Sequence, residues 1–137
     1  MKRTFYFLCI IIILAVVGCN PDDSETNNTS DIRDKITGGW KCQENSAPFG
    51  TQNYIVDIIK DTIAQRVFID NFSNLGQGKH ITAVVSGQTI TINNQYIESF
   101  LVNGNGSIAA NFNSISWNYT IDEGNGPESY TAVYTKM

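Results

Sequence analysis

The residues able to do chemistry in this chain are few and scattered. There is one histidine, His80, which follows Asn-Leu-Gly-Gln-Gly-Lys at the start of an alternating segment. Catalytic triads and zinc sites use histidine with partners at set spacing, and no Cys, Asp or Glu flanks His80. It reads as a histidine at the end of a surface loop. The cysteines are Cys9, Cys19 and Cys42, and no Cys-x-x-Cys pair occurs, so no structural zinc site can be written. Cys42 reads as a small buried hydrophobe. Glycosidase-type acid/base work needs two carboxyl groups at a set separation across a cleft. Asp57 interrupts Tyr-Ile-Val-Asp-Ile-Ile-Lys and is expected on an outer face, where a charge blocks edge pairing. Asp70 and Glu98 belong to no pattern. Asp122 and Glu123 lie in a Gly-rich loop without EF-hand spacing, so weak calcium binding is the most they would support. "GQG" and "NGNG" lack the strand-to-helix setting of a phosphate loop and read as hairpin turns. No catalytic residue, metal site or cofactor is expected, and an enzyme is the least favoured class.

The elements that would position these residues are strands. From Gly38 onward the pattern has period two, and turn signals recur every 8–12 residues, the spacing of an antiparallel barrel or sandwich. In "ISWNYTI", Ile115, Trp117, Tyr119 and Ile121 point one way and Ser116, Asn118 and Thr120 the other, as a half-buried strand requires. In "YTAVYT", Tyr130, Ala132 and Tyr134 share a face, and "DEGNGPE" joins the two strands as a hairpin loop. "AVVSGQTITI" reads as strand, tight turn at Ser86-Gly87-Gln88, and strand, with Ile90 and Ile92 facing the core. "NYIVDIIK" and "AQRVFID" pair around "DTI", and "WKCQE" is the first strand, with Trp40 and Cys42 on one face. "SFLV" and "SIAANF" are read as flanking a turn at "NGNG". Eight or nine short strands, each beside its sequence neighbour, make a meander. Closing it removes two exposed edges. The expected fold is therefore all-β, an antiparallel up-and-down barrel of about eight short strands; a two-sheet β-sandwich satisfies the same alternation.

The first residues read differently. Lys2 and Arg3 precede an apolar run of 13 residues, Phe5 to Val17. A spanning helix needs about 20, so the run fits a secretory signal instead. "VVGC", ending at Cys19, resembles the bacterial lipobox. The resemblance implies cleavage before Cys19 and a diacylglycerol on its sulfur, a stable anchor once more than one acyl chain is present. Residues 1–18 are then a lipoprotein signal peptide. Residues 19–30 are the lipidated Cys plus an acidic tether without aliphatic or aromatic side chains, expected to stay disordered and able to reach up to ~36 Å over its eleven residues beyond Cys19. Residues 31–137 form the barrel domain, opening with "DIRDKIT" as one or two helical turns. Loss of Lys2 and Arg3 leaves 7 basic against 13 acidic residues, which argues against nucleic acid as a partner and against electrostatic docking on anionic lipid. With Cys9 removed and Cys19 lipidated, Cys42 stands alone and an internal disulfide is excluded.

"ITGGWK", Ile36 to Lys41, resembles the opening of lipocalins and other calycins, in which a short helical turn leads into Gly-x-Trp on the first strand. The resemblance implies that Trp40 closes the barrel floor against a basic residue of the last strand, for which Lys136 stands in the right place. Lipobox, acidic spacer, Gly-x-Trp, the "SISW-Y" strand and the C-terminal "Y-A-Y-K" strand together resemble the small calycin-like lipoproteins of Bacteroidetes. Asp61-Thr62-Ile63 resembles the O-glycosylation motif of the same bacteria, with Thr62 the acceptor.

These readings lead to a lipocalin-like lipoprotein of the cell envelope, anchored in the outer membrane. Either leaflet, periplasmic or surface-exposed, satisfies the sequence. Its barrel mouth would hold a small apolar or amphipathic ligand, with Tyr54, Phe68, Phe100, Trp117 and Tyr119 as the lining candidates. The other reading is a filled-core interaction or structural lipoprotein, inhibitor-like in size, contacting an envelope protein. Interior volume separates the two.

Overall fold

A computed structural model describes residues 30–137; the signal, Cys19 and the tether expected before them lie outside the described residues. The strands are β1 (Gly38–Ser46), β2 (Gly50–Lys60), β3 (Arg66–Asp70), β4 (His80–Ser86), β5 (Thr89–Ile97), β6 (Phe100–Ile108), β7 (Ser114–Asp122) and β8 (Pro127–Lys136). Each pairs antiparallel with its sequence neighbour, and β1 pairs with β8, Trp40 opposite Lys136 and Ser46 opposite Tyr130. The result is a closed up-and-down barrel of eight strands, not a sandwich.

Alternation decides what fills it. Trp40 and Cys42 of β1, Val56 and Ile58 of β2, Ile90 and Ile92 of β5, Ile115 and Trp117 of β7, and Ala132 and Tyr134 of β8 all point inward and are buried. An eight-stranded barrel is just wide enough for such side chains to fill it. The centre is accordingly packed, with Trp117 and Tyr134 rings 5.6 Å apart.

The "NGNG" turn is not there. Residues 103–106 run through the middle of β6, so nine candidate strands become eight. Val102, Gly104, Gly106 and Ile108 form the inward face of β6, opposite Ile121, Tyr119, Trp117 and Ile115 of β7. A Cβ on Gly104 would lie 2.3 Å from the Cβ of Tyr119, and one on Gly106 would lie 2.9 Å from the Trp117 ring. These glycines make room for the large rings of the neighbouring strand rather than turning the chain. The actual reversal comes earlier, at Glu98-Ser99, with Glu98 at φ 55°.

Between β4 and β5 the ladder stops after Val84–Thr91. β5 bulges between Ile92 and Gln95. The Gln95 side chain fills the gap: its Oε1 accepts from the Thr82 amide at 2.8 Å and its Nε2 donates to the Thr82 carbonyl at 2.7 Å.

The two ends are closed differently. At the floor lies α1 (Ile32–Ile36), too short to hold by itself. Asp31 caps it by accepting from the Arg33 amide at 3.0 Å. Ile36 is buried in the core, and its carbonyl accepts from the Trp40 indole at 2.9 Å. Arg33 Nη1 donates to the carbonyls of Asp61, Ile63 and Arg66, which fastens α1 to the β2–β3 turn. Lys136 lies over the Trp40 ring at 5.6 Å and donates to the Lys35 carbonyl. At the mouth, the segment between β3 and β4 folds inward. It contains a 3₁₀ turn (Phe72–Asn74) with Asn71, Ser73 and Asn74 at positive φ, and it drops Phe72 into the core.

Candidate functional site

Glu44 is the residue the sequence pattern should have exposed. It continues the Trp40, Cys42 alternation of β1 by one more step, and it is only 2% exposed. A carboxylate at an inward position must find hydrogen-bond donors. Here Oε2 accepts from the Tyr54 hydroxyl at 2.5 Å and from the Tyr119 hydroxyl. Oε1 has a long contact, 3.4 Å, with the Ser73 hydroxyl. Tyr54 stands opposite Cys42 on β2, and Tyr119 lies on β7. The Tyr119 ring is stacked on Tyr130 at 5.4 Å and packed against Phe72 at 4.9 Å. β1, β2, β7 and the β3–β4 segment thus converge on one buried carboxylate.

Burial pushes the hydroxyls of Tyr54 and Tyr119 well above the usual tyrosine range, and the Glu44 carboxylate acts in the same direction on Tyr119. Burial does the same to Tyr134. It pushes the Cys42 thiol up to about 12, against a hydrogen bond with Tyr54 that works the other way. A thiol in that state is a packing group, not a nucleophile.

Above Glu44 the barrel opens into a pocket of about 260 Å³. Phe49, Leu75, Phe100, Ile121 and Tyr130 make its apolar walls; Glu44, Gln52, Ser73, Asn74 and Glu123 supply its polar lining. A recess of about 110 Å³ continues it between the β1–β2 turn and the β7–β8 loop, adding Pro48 and Glu128.

The five aromatic candidates separate. Phe100 lines the pocket. Tyr54 and Tyr119 lie beneath it, as donors to the carboxylate that does line it. Trp117 is 1% exposed and belongs to the packed centre, so it cannot touch a ligand at the mouth. Phe68 is on the wrong side of the wall. In "RVFID" the inward positions go to Val67 and Ile69, and Phe68 packs outside against the His80 ring at 4.8 Å.

Glu44, Ser73, Phe49, Leu75 and Tyr130 were missed as site residues. Alternation alone places Glu44 and Tyr130 inward. Nothing local marks Ser73 or Leu75, whose position depends on how the β3–β4 segment folds back. His80 is exposed at the start of β4, and Asp57 faces out opposite Asp70. Asp122 accepts from the Gly124 and Gly126 amides and shapes the β7–β8 loop. Thr62 is exposed in the β2–β3 turn. Among the described residues no group of three His, Cys, Asp or Glu is placed to hold a metal ion.

The sequence matches no protein-family model and no curated protein. Solved structures do match. A redesigned β-barrel aligns with a TM-score of 0.57 at 10% identity, over 78% of this chain and 96% of its own. The redesigned barrel mFAP1, bound to DFHBI, aligns at 0.56 and 15%, over 78% and 100%. EF1p2_mFAP2b, also bound to DFHBI, aligns at 0.53 and 12%, over 78% and 98%. What they share with this chain is the barrel.

Proposed function

We propose that this protein is a lipocalin-like lipoprotein that binds a small amphipathic molecule at its barrel mouth and catalyses no reaction. The mouth pocket carries the reading. Apolar walls and one buried polar anchor are features of small-ligand sites, and the volume of about 260 Å³ lies just below their usual range of roughly 300–1,000 Å³. Two of the similar barrels hold a small molecule, DFHBI, so the architecture accommodates one. The lipid on Cys19 would tie the domain to the outer membrane.

Native mass spectrometry of full-length protein released in mild detergent tests this. A co-purifying small molecule, or uptake of a hydrophobic dye, is expected. The packed centre favours a second reading, an interaction lipoprotein whose outer face meets an envelope protein. Absence of both ligand and dye uptake, with a reproducible cross-linked partner, would replace the first reading with that one. Labelled palmitate should appear on the wild-type chain and not on Cys19→Ala; equal labelling removes the anchor.

A further inference from the structure

We infer that the mouth pocket selects a cation: a protonated amine carried on a small apolar or aromatic body. This rests on the ligand-binding reading above and names its ligand class. The argument begins with Glu44. A buried carboxylate is costly unless a positive charge or several donors face it. Among the described residues no Lys, Arg or His forms an ion pair with Glu44. Both phenol donors meet Oε2, while Oε1 has only the 3.4 Å approach of Ser73. A carboxylate has room for about four donors, so Oε1 keeps acceptor capacity, and Glu44 borders the pocket.

The surroundings carry the same sign. Glu123 lines the pocket and Glu128 the adjoining recess, and no basic side chain lines either. Lys79, in the β3–β4 segment, is paired with Glu98 of the β5–β6 turn. An anionic amphiphile would therefore face like charge from Glu44 and Glu123, and a neutral one would bring no positive charge to Glu44. An ammonium reaching Oε1 would supply the missing charge. Its apolar body would lie against Phe49, Phe100 and Tyr130, whose ring faces also attract cations. A bare divalent ion is the poorer fit, because among the described residues no group of three His, Cys, Asp or Glu is placed to hold one.

Three probes of nearly equal shape test the inference: 3-phenylpropylamine, 3-phenylpropanol and 3-phenylpropionate. Each is titrated into the full-length chain in mild detergent, with a detergent-only reference, and followed by calorimetry and by the backbone amide shifts of Ser73, Phe100 and Ile121. The amine is expected to bind at least about tenfold more tightly than the alcohol, the scale of one charged hydrogen bond, and the carboxylate most weakly. Glu44→Gln should remove most of the amine's advantage over the alcohol, bringing the two affinities within about twofold. Glu123→Gln, at an exposed position, should weaken the amine by a smaller factor and guards against a misfolded Glu44 variant. Equal affinity for amine and alcohol in the wild type overturns the cation inference and leaves the pocket. Failure of all three probes to bind or to move those amides overturns the pocket itself.

Discussion

Gly104 shows how a residue without a side chain can be the most constrained position in a barrel. It faces inward, and an added Cβ would meet not only Tyr119 but also the backbone carbonyl of Asn118 at 2.6 Å. A rotamer change relieves a side-chain clash, but a backbone clash requires β6 and β7 to separate. Gly104→Ala should cost about 3 kcal/mol, the upper part of the usual overpacking range, read as a lowered denaturation midpoint with unchanged slope. A variant as stable as the wild type would mean that β6 and β7 are less tightly joined than described. Cys42 makes the converse case, a reactive group silenced by where it sits. Its thiol, 2% exposed and pushed up to about 12 by burial, should resist a maleimide in the folded protein and react within minutes in denaturant. Labelling of the native fold would show that the β1–β2 wall opens.

At the scale of elements, the five-residue α1 is kept by its attachments, and those attachments are charged. The Arg33 side chain holds the Asp31 carboxyl well below the usual carboxylate range, helped by the helix N-terminal amide and Lys60. A carboxyl whose folded value is depressed contributes stability above its unfolded value, near pH 4, and loses it as the pH falls toward the folded value. Melting temperature should therefore decline on acidification from about pH 5 to pH 2. Asp31→Asn, which still caps a helix, should show a flatter profile; an unaltered slope would assign the acid sensitivity elsewhere. The helix itself, the barrel and the strand faces were legible because period two and the Gly-x-Trp opening act locally. "NGNG" was misread because asparagine and glycine mark turns by their tolerance of positive φ, whereas here the glycines answer to rings on the adjacent strand. Phe68 faces outward because the parity set by Val67 and Ile69, not aromaticity, decides which side of the wall it takes. The pocket was only half legible. Its floor follows from alternation, while Phe49, Ser73 and Leu75 come from loops whose path depends on the finished barrel.

The whole molecule is a cylinder with unlike ends. Arg33, Lys35, Lys60, Arg66 and Lys136 gather around the floor with Asp31, Asp34 and Asp61, while Glu44, Glu123 and Glu128 surround an unbalanced mouth. What couples the ends is closure, because a sheet without edges cannot fray from one side. Tyr54, Tyr119 and Tyr134 report on that coupling from β2, β7 and β8. Burial raises all three hydroxyls above their ordinary values, so the folded barrel keeps protons that the unfolded chain releases above about pH 10. Stability must then fall as the pH rises past that point, each hydroxyl adding up to about 1.4 kcal/mol per pH unit. In a rapid jump to alkaline pH, the phenolate absorbance of these three should appear in one phase, at the rate at which near-ultraviolet circular dichroism is lost. If the barrel opens cooperatively, Tyr54→Phe removes amplitude from that phase without splitting it. Ionisation of any of the three while the tertiary signal persists would mean that the wall breathes strand by strand, and Glu44 would then meet water without any ligand to exclude it.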